Sequence, residues 1–380
     1  MRIALVQPKF DGSGGAERYA LTLGEALSGR GHEVHLFGRK AGPVPPGLTF
    51  HRVAALPFGR ALKTWSFCRF ASAAVRGGRF DVIQGSGKTV CQTVHRAGGG
   101  AHAAYLERSG PRRLSAYDRL ALRLEAELFS SPTLRAVIAP SAWVASEVER
   151  WHPAAAVRIH VIPNGVDTER FRPEGREADR QALCAAHGIP AGAPLLLFAA
   201  TNFRLKGLAE AVEALALLPE AHLAVAGGDD PGPFREAAAR AGAAARLHFL
   251  GRIGDMAPVY RAADVLLHPT HYDPFPNVCG EAVACGTPPV TTDRAGATEL
   301  VAGAGLVVRF PATGEVLAAA VRALLERGDE GRARCRAVAC RFDLAAHAHA
   351  VEALYEAVRR GDPVTSGVEP PTPFERDHVH

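Results

Sequence analysis

Residues 261–301 of the chain read RAADVLLHPTHYDPFPNVCGEAVACGTPPVTTDRAGATELV. This stretch contains two short apolar runs, Val265 to His268 and Pro288 to Thr291, each long enough for one buried strand and too short for a helix. Between them lie a proline-rich loop and a run of small residues, Gly280 to Cys285, that predicts a helix. A strand, a helix and a second strand in succession are typical of a parallel α/β sheet.

Two carboxylates, Asp273 and Glu281, stand eight positions apart between these runs. The spacing lets both reach one bound molecule, the first from a strand end and the second from a helix N-terminus, where free backbone N–H groups also attract an anion. A carboxylate accepts hydrogen bonds from vicinal hydroxyls and never donates them. The pair therefore suits a sugar and a ribose better than it suits a metal ion.

The same alternation of apolar runs and amphipathic segments extends along the chain and predicts two doubly wound α/β domains. The other predicted strands are Ile3 to Val6, Glu33 to Phe37, Val82-Ile83, Val137-Ile138, Ile159 to Ile162, Pro194 to Ala199, His222 to Ala226 and Leu247 to Leu250. A polar stretch bounded by Pro163 and Pro173 predicts a linker. We expect a first domain over residues 1–165, a second over 166–360 whose final helix could return to the first, and a disordered tail over 361–380.

Composition narrows the class of protein. The 380 residues are 47% hydrophobic and 22% charged, which is ordinary for a soluble globular protein, and no apolar run is long enough to span a membrane. Seven scattered cysteines, an odd number without a CxxC pair, favour a reducing compartment, the cytoplasm. The net charge of +5 suits nucleotides, a phosphorylated glycolipid or an anionic membrane surface, but is modest for a nucleic-acid-binding protein.

A glycine-rich loop follows the first predicted strand and opens a helix. Gly14 and Gly15 in this loop could contact a phosphate or an acceptor through backbone N–H groups, or could simply allow a tight turn. The loop is not a dinucleotide fingerprint, because the third glycine position is Glu17 and Arg39 follows the second strand where an acid is required. This argues against a dehydrogenase.

A second glycine-containing stretch, Gly85 to Thr89, resembles the end of a Walker A loop. The first glycine of that motif would fall at position 82, which is Val82, so the sequence argues against an NTPase.

The segment from Cys91 to His102 joins a strand-like start to three glycines that permit close approach of a ligand. His95, Arg96, Gly99 and His102 could face a bound anion or hydroxyl, or the histidines could only cap the backbone. The spacing Cys91-x3-His95-x6-His102 matches no usual zinc site, so no metal is predicted.

Arginines alternate with apolar residues between Ala104 and Phe129. A basic amphipathic helix of this kind binds a membrane surface in some proteins and is only the solvated face of an ordinary helix in others. The sequence leaves both open. The arginines are Arg108, Arg112, Arg113, Arg119 and Arg123.

The loop Thr201 to Gly207 follows the first strand of the second half and precedes a helix. Arg204 and Lys206 in this loop are cations that could neutralise the negative charge of a bound phosphate group. No DxD motif occurs at a strand end, so no metal site is predicted there.

The order of these motifs is similar to that of a known family. Asp273-x7-Glu281, followed by AVACGTPPV, resembles the EX7E region of retaining nucleotide-sugar glycosyltransferases of family 4, which have the GT-B fold. Gly14-Gly15-Ala-Glu-Arg, Ile162-Pro-Asn-Gly-Val-Asp and Lys206-Gly207 occur in the family's order, so the resemblance runs from Met1 to about Val351. The family usually has glutamate at the first acidic position, where this chain has the shorter Asp273.

The resemblance implies two Rossmann-like domains facing across a cleft, with the donor nucleotide in the second and the acceptor in the first. It implies that Lys206 and Arg204 hold the diphosphate, Glu281 the ribose hydroxyls, Asp273 the transferred hexose and His95 a sugar hydroxyl at the reacting centre. Further donor contacts are expected at Gly15, Arg252, Ile253, Asn277 and Val278. Contacts to the acceptor or the sugar are expected at Gly14, Arg96, Gly99 and His102.

The implied reaction is metal-independent transfer of a hexose from a UDP-sugar by attack on the same face that the nucleotide leaves. Within the family, Arg96-Ala-Gly-Gly-Gly and the basic segment after it look most like glucosyltransferases of the lipopolysaccharide core. A glycolipid acceptor and a peripheral position on the cytoplasmic face of the inner membrane follow from that resemblance. A non-hydrolysing UDP-sugar epimerase and a non-catalytic envelope glycan-binding protein stay open as alternatives.

Overall fold

The central strands of the two large sheets are short and buried on both faces, as parallel strands covered by helices are. In the computed structural model, Leu195–Ala199 is buried at all five positions and Ala136–Ala139 at all four. The structure describes residues 1–12, 14–108 and 113–362. These residues form one unit of Met1–Asn164 with residues 345–362, and a second unit of Gly165–Leu344.

The first unit contains nine strands and five helices before residue 165. The strands are β1 (Arg2–Val6), β2 (Lys9–Phe10), β3 (Glu33–Gly38), β4 (Lys40–Ala41), β5 (Leu48–Arg52), β6 (Val82–Gly85), β7 (Val94–Arg96), β8 (Ala136–Ala139) and β9 (Ile159–Val161) among the described residues. The helices are α1 (Gly15–Gly29), α2 (Arg60–Arg76), α3 (His102–Arg108), α4 (Ala116–Phe129) and α5 (Ala142–Trp151), followed by the 3₁₀ helix Pro153–Arg158.

Seven of these strands form a parallel sheet in the order β5-β3-β1-β6-β7-β8-β9, and β2 pairs separately with β4. The register is fixed at the centre, where Ile3 of β1 lies between Val34 of β3 and Val82 of β6. All three side chains are fully buried. The carboxyl ends of the strands lie along one edge of the sheet, where open α/β sheets bind their ligands.

The second unit repeats this scheme with six strands. They are β10 (Leu195–Ala199), β11 (His222–Ala226), β12 (Leu247–Gly251), β13 (Val265–His268), β14 (Pro289–Thr292) and β15 (Leu306–Val308). The helices are α6 (Arg176–His187), α7 (Leu208–Ala216), α8 (Gly232–Arg240), α9 (Ala257–Ala262), α10 (Asn277–Ala284), α11 (Thr298–Ala304), α12 (Gly314–Glu326) and α13 (Gly328–Ala339), with 3₁₀ helices Ala244–Arg246 and Cys340–Phe342. The parallel sheet has the order β12-β11-β10-β13-β14-β15. The predicted α/β class is confirmed.

The last helix, α14 (Leu344–Arg360), packs on the first unit. The Tyr355 hydroxyl donates to Oε1 of Gln84 at 2.7 Å. The ring of His347 lies 3.0 Å from the Tyr19 hydroxyl and 2.7 Å from the Pro163 carbonyl. Beyond Asp362, the predicted tail lies outside the described residues. Within the described part of the chain, no helix is both long and apolar enough to cross a membrane.

The structure corrects three local expectations. The sequence predicted neither β5, a half-exposed edge strand with polar Thr49 and His51, nor the three-residue β15. The helix expected at Gly280 begins at Asn277, because Pro276 adopts an extended conformation suited to the residue before a helix. The basic segment 104–129 is not one helix: α3 and α4 are separate, and residues 109–112, including Arg112, lie outside the described part.

Candidate active site

The loop after β13 holds Asp273 firmly at the carboxyl edge of the second sheet. Its backbone N–H donates to the Arg294 carbonyl at 3.0 Å, and its carbonyl accepts from the Gly296 N–H at 2.8 Å. Its side-chain Oδ2 accepts from Nζ of Lys206 at 2.7 Å and lies 3.1 Å from Nε2 of His268. Burial would raise the pKa of this carboxyl, but Lys206 and His268 outweigh it and hold the pKa well below its usual range.

Lys206 reaches Asp273 because its loop packs tightly against the end of β13. Gly207 has φ +82°, and a Cβ there would lie 2.1 Å from the carbonyl oxygen of Pro269, so any side chain would push the two segments apart. The ammonium also donates to the Tyr272 carbonyl at 3.0 Å. Two of its three possible hydrogen bonds are thus made within the protein.

Arg204, the second predicted diphosphate ligand, is exposed on the same loop. The two cations of this loop therefore differ in burial and in their partners. Lys206 is half-buried and paired with an acid, whereas Arg204 projects into solvent, where a guanidinium can rearrange to meet a phosphate.

Glu281 lies one turn inside α10 rather than at its N-terminus. The helix begins at Asn277, so the free N–H groups of its first turn belong to residues before Glu281. The buried carboxylate accepts from the Tyr260 hydroxyl at 2.8 Å. Asn277 and Val278 form the helix start that was predicted to contact the donor, and Val278 also packs against the core.

The thiol of Cys279, on α10, feels the charges of Asp273, Lys206 and Glu281. Burial first, and then the negative charge of Asp273, raise the pKa of its thiol far above the usual range. Lys206 and Glu281 act on the same thiol. The structure therefore brings the predicted acidic pair and the predicted lysine together around the start of α10.

The loop that carries the predicted donor contacts Arg252 and Ile253 follows β12 at the same edge of the sheet. The Arg252 side chain packs against Gly228, and a Cβ on Gly228 would lie 2.2 Å from Nε of Arg252. Ile253 is partly buried against the core. Gly228 follows β11 and Arg252 follows β12, so both lie at strand carboxyl ends.

In the first unit, His95, Arg96, Gly99 and His102 line one cavity of about 160 Å³. His95, on β7, is buried, and its Nδ1 lies 3.2 Å from Nε2 of Gln92. Burial, followed by the positive charge of Lys88, lowers the pKa of His95 to about 4. The imidazole is therefore neutral at pH 7 and can exchange hydrogen bonds with a hydroxyl.

Lys88 and Glu125 line the same cavity, and the sequence assigned neither of them a role. Glu125 is buried on α4 and lies 3.0 Å from Nζ of Lys88. Burial alone would raise the pKa of Glu125, but His152, Lys88 and the His102 backbone together lower it to about 2. Lys88 belongs to the stretch Gly85 to Thr89, whose pattern resembles only the end of an NTPase loop. The sequence around Glu125 contains no comparable signal.

His102 and Arg96 have structural partners as well as cavity positions. The His102 N–H donates to the Glu125 carboxylate at 2.9 Å, and its Nε2 lies 3.2 Å from Oδ1 of Asp118. Arg96 is buried, with its guanidinium 3.5 Å from the centre of the Tyr19 ring and Nη2 donating to Asn164 at 2.7 Å. Its Nε has no hydrogen-bond partner among the described residues.

Gly14 and Gly15 form the start of α1, as predicted, with Gly14 extended before the first helical residue. Glu17 occupies the first turn, and a Cβ on Gly14 would lie 2.7 Å from its Oε2. This carboxylate competes with any anion for the positive end of the helix dipole. Among the described residues, no group of three or more His, Cys, Asp or Glu side chains could hold a metal ion. The absence of a metal requirement stays an expectation.

Both halves of the chain match glycosyltransferase families. Residues 13–170 match the profile described as Glycosyltransferase Family 4, and residues 179–340 match Glycosyl transferases group 1. A D-inositol 3-phosphate glycosyltransferase from Xylanimonas cellulosilytica is 32% identical over 338 residues, which cover 78% of this chain and 79% of that protein. A protein of the same name from Mycobacterium bovis is 29% identical, with 94% of this chain and 81% of the relative covered.

Solved structures share the architecture. WaaG, a glycosyltransferase involved in lipopolysaccharide biosynthesis, superposes with a TM-score of 0.82 at 22% identity, covering 93% of this chain and 99% of its own. Anabaena Alr3699/HepE in complex with UDP-glucose superposes with a TM-score of 0.75 at 18% identity, covering 94% and 100%. At these identities the likeness shows the fold, and the predicted GT-B fold, with its two Rossmann-like domains, is confirmed.

Proposed function

The chain belongs to the glycosyltransferase family in which a Glycosyltransferase Family 4 domain precedes a Glycosyl transferases group 1 domain, and we propose that it is a retaining hexosyltransferase using a UDP-sugar. The proposed hexose is glucose. The proposed acceptor is a lipopolysaccharide core or related glycolipid. The family consists of transferases, so the epimerase and the non-catalytic binding protein are set aside.

The observation that carries this proposal is the pairing of Lys206 with Asp273 at the carboxyl edge of the second sheet. A leaving nucleoside diphosphate develops negative charge, and a cation already fixed in place stabilises that charge without having to reorganise. Asp273 and the Tyr272 carbonyl fix Lys206 at two points. Arg204 on the same loop supplies a second, exposed cation.

The acidic residues divide their roles in this proposal. Glu281, oriented by Tyr260, accepts from the ribose hydroxyls, while Asp273 accepts from a hydroxyl of the hexose. We assign no residue as a covalent nucleophile. The acceptor hydroxyl attacks the anomeric carbon on the face that the phosphate leaves, and a leaving phosphate oxygen takes its proton. The bond to the acceptor forms as the bond to the phosphate breaks, with retention of configuration.

The first-unit cavity supports an acceptor that carries negative charge. Lys88 and the buried Arg96 bring two cations to its wall, and Glu125 supplies one anion. A phosphorylated sugar of a glycolipid core fits this balance of charge. A phosphorylated polyol fits it equally, and the D-inositol 3-phosphate glycosyltransferases among the relatives favour that second candidate acceptor.

A ligand panel tests the donor. At 100 times its dissociation constant a ligand adds about 2.7 kcal/mol to the free energy of unfolding, which shifts the melting temperature measurably. We expect UDP and UDP-glucose to raise the melting temperature and GDP, ADP and their sugars to leave it unchanged. Stabilisation by GDP or ADP alone would refute the UDP assignment.

An acceptor assay separates the two candidate acceptors. The protein is incubated with radiolabelled UDP-glucose and either a truncated lipopolysaccharide core or inositol 3-phosphate, and the labelled product is analysed for anomeric configuration. Transfer to the core with an α-linkage supports the proposal. Transfer only to inositol phosphate supports the second candidate, and a β-linked product would contradict retention. We propose the cytoplasm as the compartment of this reaction, because seven scattered cysteines without a CxxC pair favour a reducing environment.

A further inference from the structure

One region of the first unit exposes large apolar side chains. Five of the nine exposed large hydrophobic residues in the described chain lie within residues 56–70, on α2 and the loop before it. They are Leu56, Phe58, Leu62, Trp65 and Phe70, with exposures of 38%, 71%, 41%, 45% and 43%. Isolated exposed apolar residues are common, but a cluster of this kind marks an interaction site. We call these five residues, with the basic residues Lys63, Arg69 and Arg76 of α2, the α2 surface.

Helical spacing shows how these side chains are arranged on α2. Leu62 and Trp65 are three positions apart and are neighbours on the helix surface, and Phe70 is exposed further round the helix, whereas Phe67 and Val75 are buried in the core. The helix is therefore apolar on two sides, although only one of them has a partner in the described structure.

The loop before α2 is fixed rather than free. The Leu56 N–H donates to the Ser66 hydroxyl at 2.9 Å, and that hydroxyl donates to the Lys63 carbonyl at 3.2 Å. These bonds tie the loop to the second turn of α2. Phe58, at the most exposed point, is thus presented by an anchored loop.

The charge of this region identifies the kind of partner. Residues 34–80 contain eight Lys and Arg residues and no Asp or Glu. A second copy of the same surface would be repelled by like charges. The partner must be anionic and must also offer an apolar phase into which Trp and Phe side chains can insert. An anionic lipid bilayer has both properties, with phosphate headgroups above the acyl chains.

We propose that the α2 surface docks this protein on an anionic lipid bilayer, with Phe58 and Trp65 inserted at the headgroup boundary and Lys63, Arg69 and Arg76 at the lipid phosphates. The surface belongs to the unit whose cavity we assign to the acceptor, so docking would bring a lipid-linked acceptor and that cavity to the same membrane. The docking itself does not depend on the proposed transfer reaction.

The basic segment after α3 is a weaker candidate for the same contact. Arg108 forms an ion pair with Glu147 and stacks 5.0 Å from the centre of the Trp143 ring. On α4, Leu124 faces the core, and Leu114 before the helix is the exposed large hydrophobic of that region. The guanidinium of Arg60 lies 3.7 Å from the centre of the Tyr117 ring, so α4 abuts α2. Besides exposed arginines, α4 carries the exposed Glu127, whose negative charge acts on Cys68 of α2, so α4 is less basic than the α2 surface.

Vesicle sedimentation with matched variants tests the proposal. The full-length protein is mixed with vesicles of phosphatidylcholine alone or with 30% phosphatidylglycerol, and circular dichroism verifies that each variant is folded. The double variant Phe58→Ser/Trp65→Ser removes the apolar insertion. Trp151→Ser is the matched control, because Trp151 is similarly exposed, at 39%, on α5. Lys63→Gln/Arg69→Gln/Arg76→Gln is compared with Arg113→Gln/Arg119→Gln/Arg123→Gln on and beside α4.

We expect the parent to bind anionic vesicles and not neutral ones. Phe58→Ser/Trp65→Ser should lower the partition coefficient about tenfold or more, and Trp151→Ser should leave it unchanged. Each neutralised α2 cation should lower it about fivefold, which corresponds to about 1 kcal/mol per residue near an anionic surface. The α4 triple variant should have a smaller effect than the α2 triple variant.

Tryptophan quenching gives an independent readout. Lipids brominated on their acyl chains should quench the parent and Trp151→Phe, whereas Trp65→Phe should bind the same vesicles without that quenching. The proposal is overturned if the α4 variant abolishes binding while the α2 variants retain it, or if Trp65 is not quenched. Self-association that is lost in Phe58→Ser/Trp65→Ser, without vesicle binding by the parent, would assign the surface to a second copy and also overturn it.

Discussion

The Lys206 ammonium lies 2.7 Å from Oδ2 of Asp273, so the cation proposed to hold the diphosphate is itself held by an acid. Removing a charge that pairs with a partly buried phosphate costs about 2 to 5 kcal/mol. We therefore expect Lys206→Ala to lose at least tenfold in UDP affinity, measured by isothermal titration calorimetry. Arg240→Ala, at an exposed position on α8, is the control and should bind UDP as the parent does.

The effects of substituting Lys206 and Asp273 on the free energy of unfolding should depend on each other. Lys206→Ala leaves the buried Asp273 carboxylate with only His268 opposite it, and losing a charged hydrogen bond costs about 1 to 3 kcal/mol. Lys206→Ala/Asp273→Asn removes both charges and should recover part of that loss. Urea unfolding of the two single variants and the double variant measures the coupling. Strictly additive losses would show that the pair contributes nothing to stability.

The two acidic residues should respond differently to neutralisation. Glu281→Gln should weaken UDP binding, because the ribose loses its acceptor. Asp273→Asn should leave UDP binding intact, because the Tyr272 carbonyl still holds Lys206, but it should reduce turnover. Tyr260→Phe is an informative companion: it removes only the hydroxyl that orients Glu281 and should weaken UDP by a few-fold. Full activity in Asp273→Asn would mean that the shorter acid has lost its contact with the hexose.

The sequence predicted the fold well where the strands are buried and apolar. His222–Ala226 and Val265–His268 were predicted with their observed limits, because a parallel strand covered on both faces needs a continuous apolar run. The edge strand Leu48–Arg52 was missed, since one of its sides faces no neighbouring strand and its polar residues interrupt the pattern. The edge strands β9 and β12 were predicted, because apolar residues predominate in both, so the sequence pattern misses an edge strand where polar residues interrupt it, as in β5.

The sequence names the residues of the candidate site but not the pairs that they form. Spacing placed Asp273 and Glu281 near one another, yet it could not show that Lys206, 67 positions before Asp273, pairs with it through the packing of Gly207 on Pro269. Lys88 and Glu125 were missed for the same reason. They are 37 residues apart, and only the fold joins them.

Lys88 provides a prediction about the acceptor. Its ammonium lines the first-unit cavity and pairs with Glu125, so it can share its charge with an incoming phosphate. We expect Lys88→Gln to raise the KM for a phosphorylated acceptor at least tenfold, with UDP affinity and the slow hydrolysis of UDP-glucose unchanged. A dephosphorylated acceptor serves as control, because its KM should be nearly equal in parent and variant. If parent and Lys88→Gln had equal KM values for the phosphorylated acceptor, Lys88 would not contact the acceptor phosphate.

Acid should destabilise the protein through buried histidines. Burial lowers the folded-state pKa of His347 to about 4, against 6.5 for the free side chain. Between these values only the unfolded chain gains the proton, so the stabilisation is complete above pH 6.5 and is lost as the pH falls toward 4, by about 3 kcal/mol. Urea unfolding at pH 7 and pH 4.5 should show a smaller loss of stability for His347→Gln than for the parent. His349→Gln, at an exposed position on the same helix, should keep the parent's pH dependence. An unchanged pH dependence in His347→Gln would show that folding does not lower the pKa of His347.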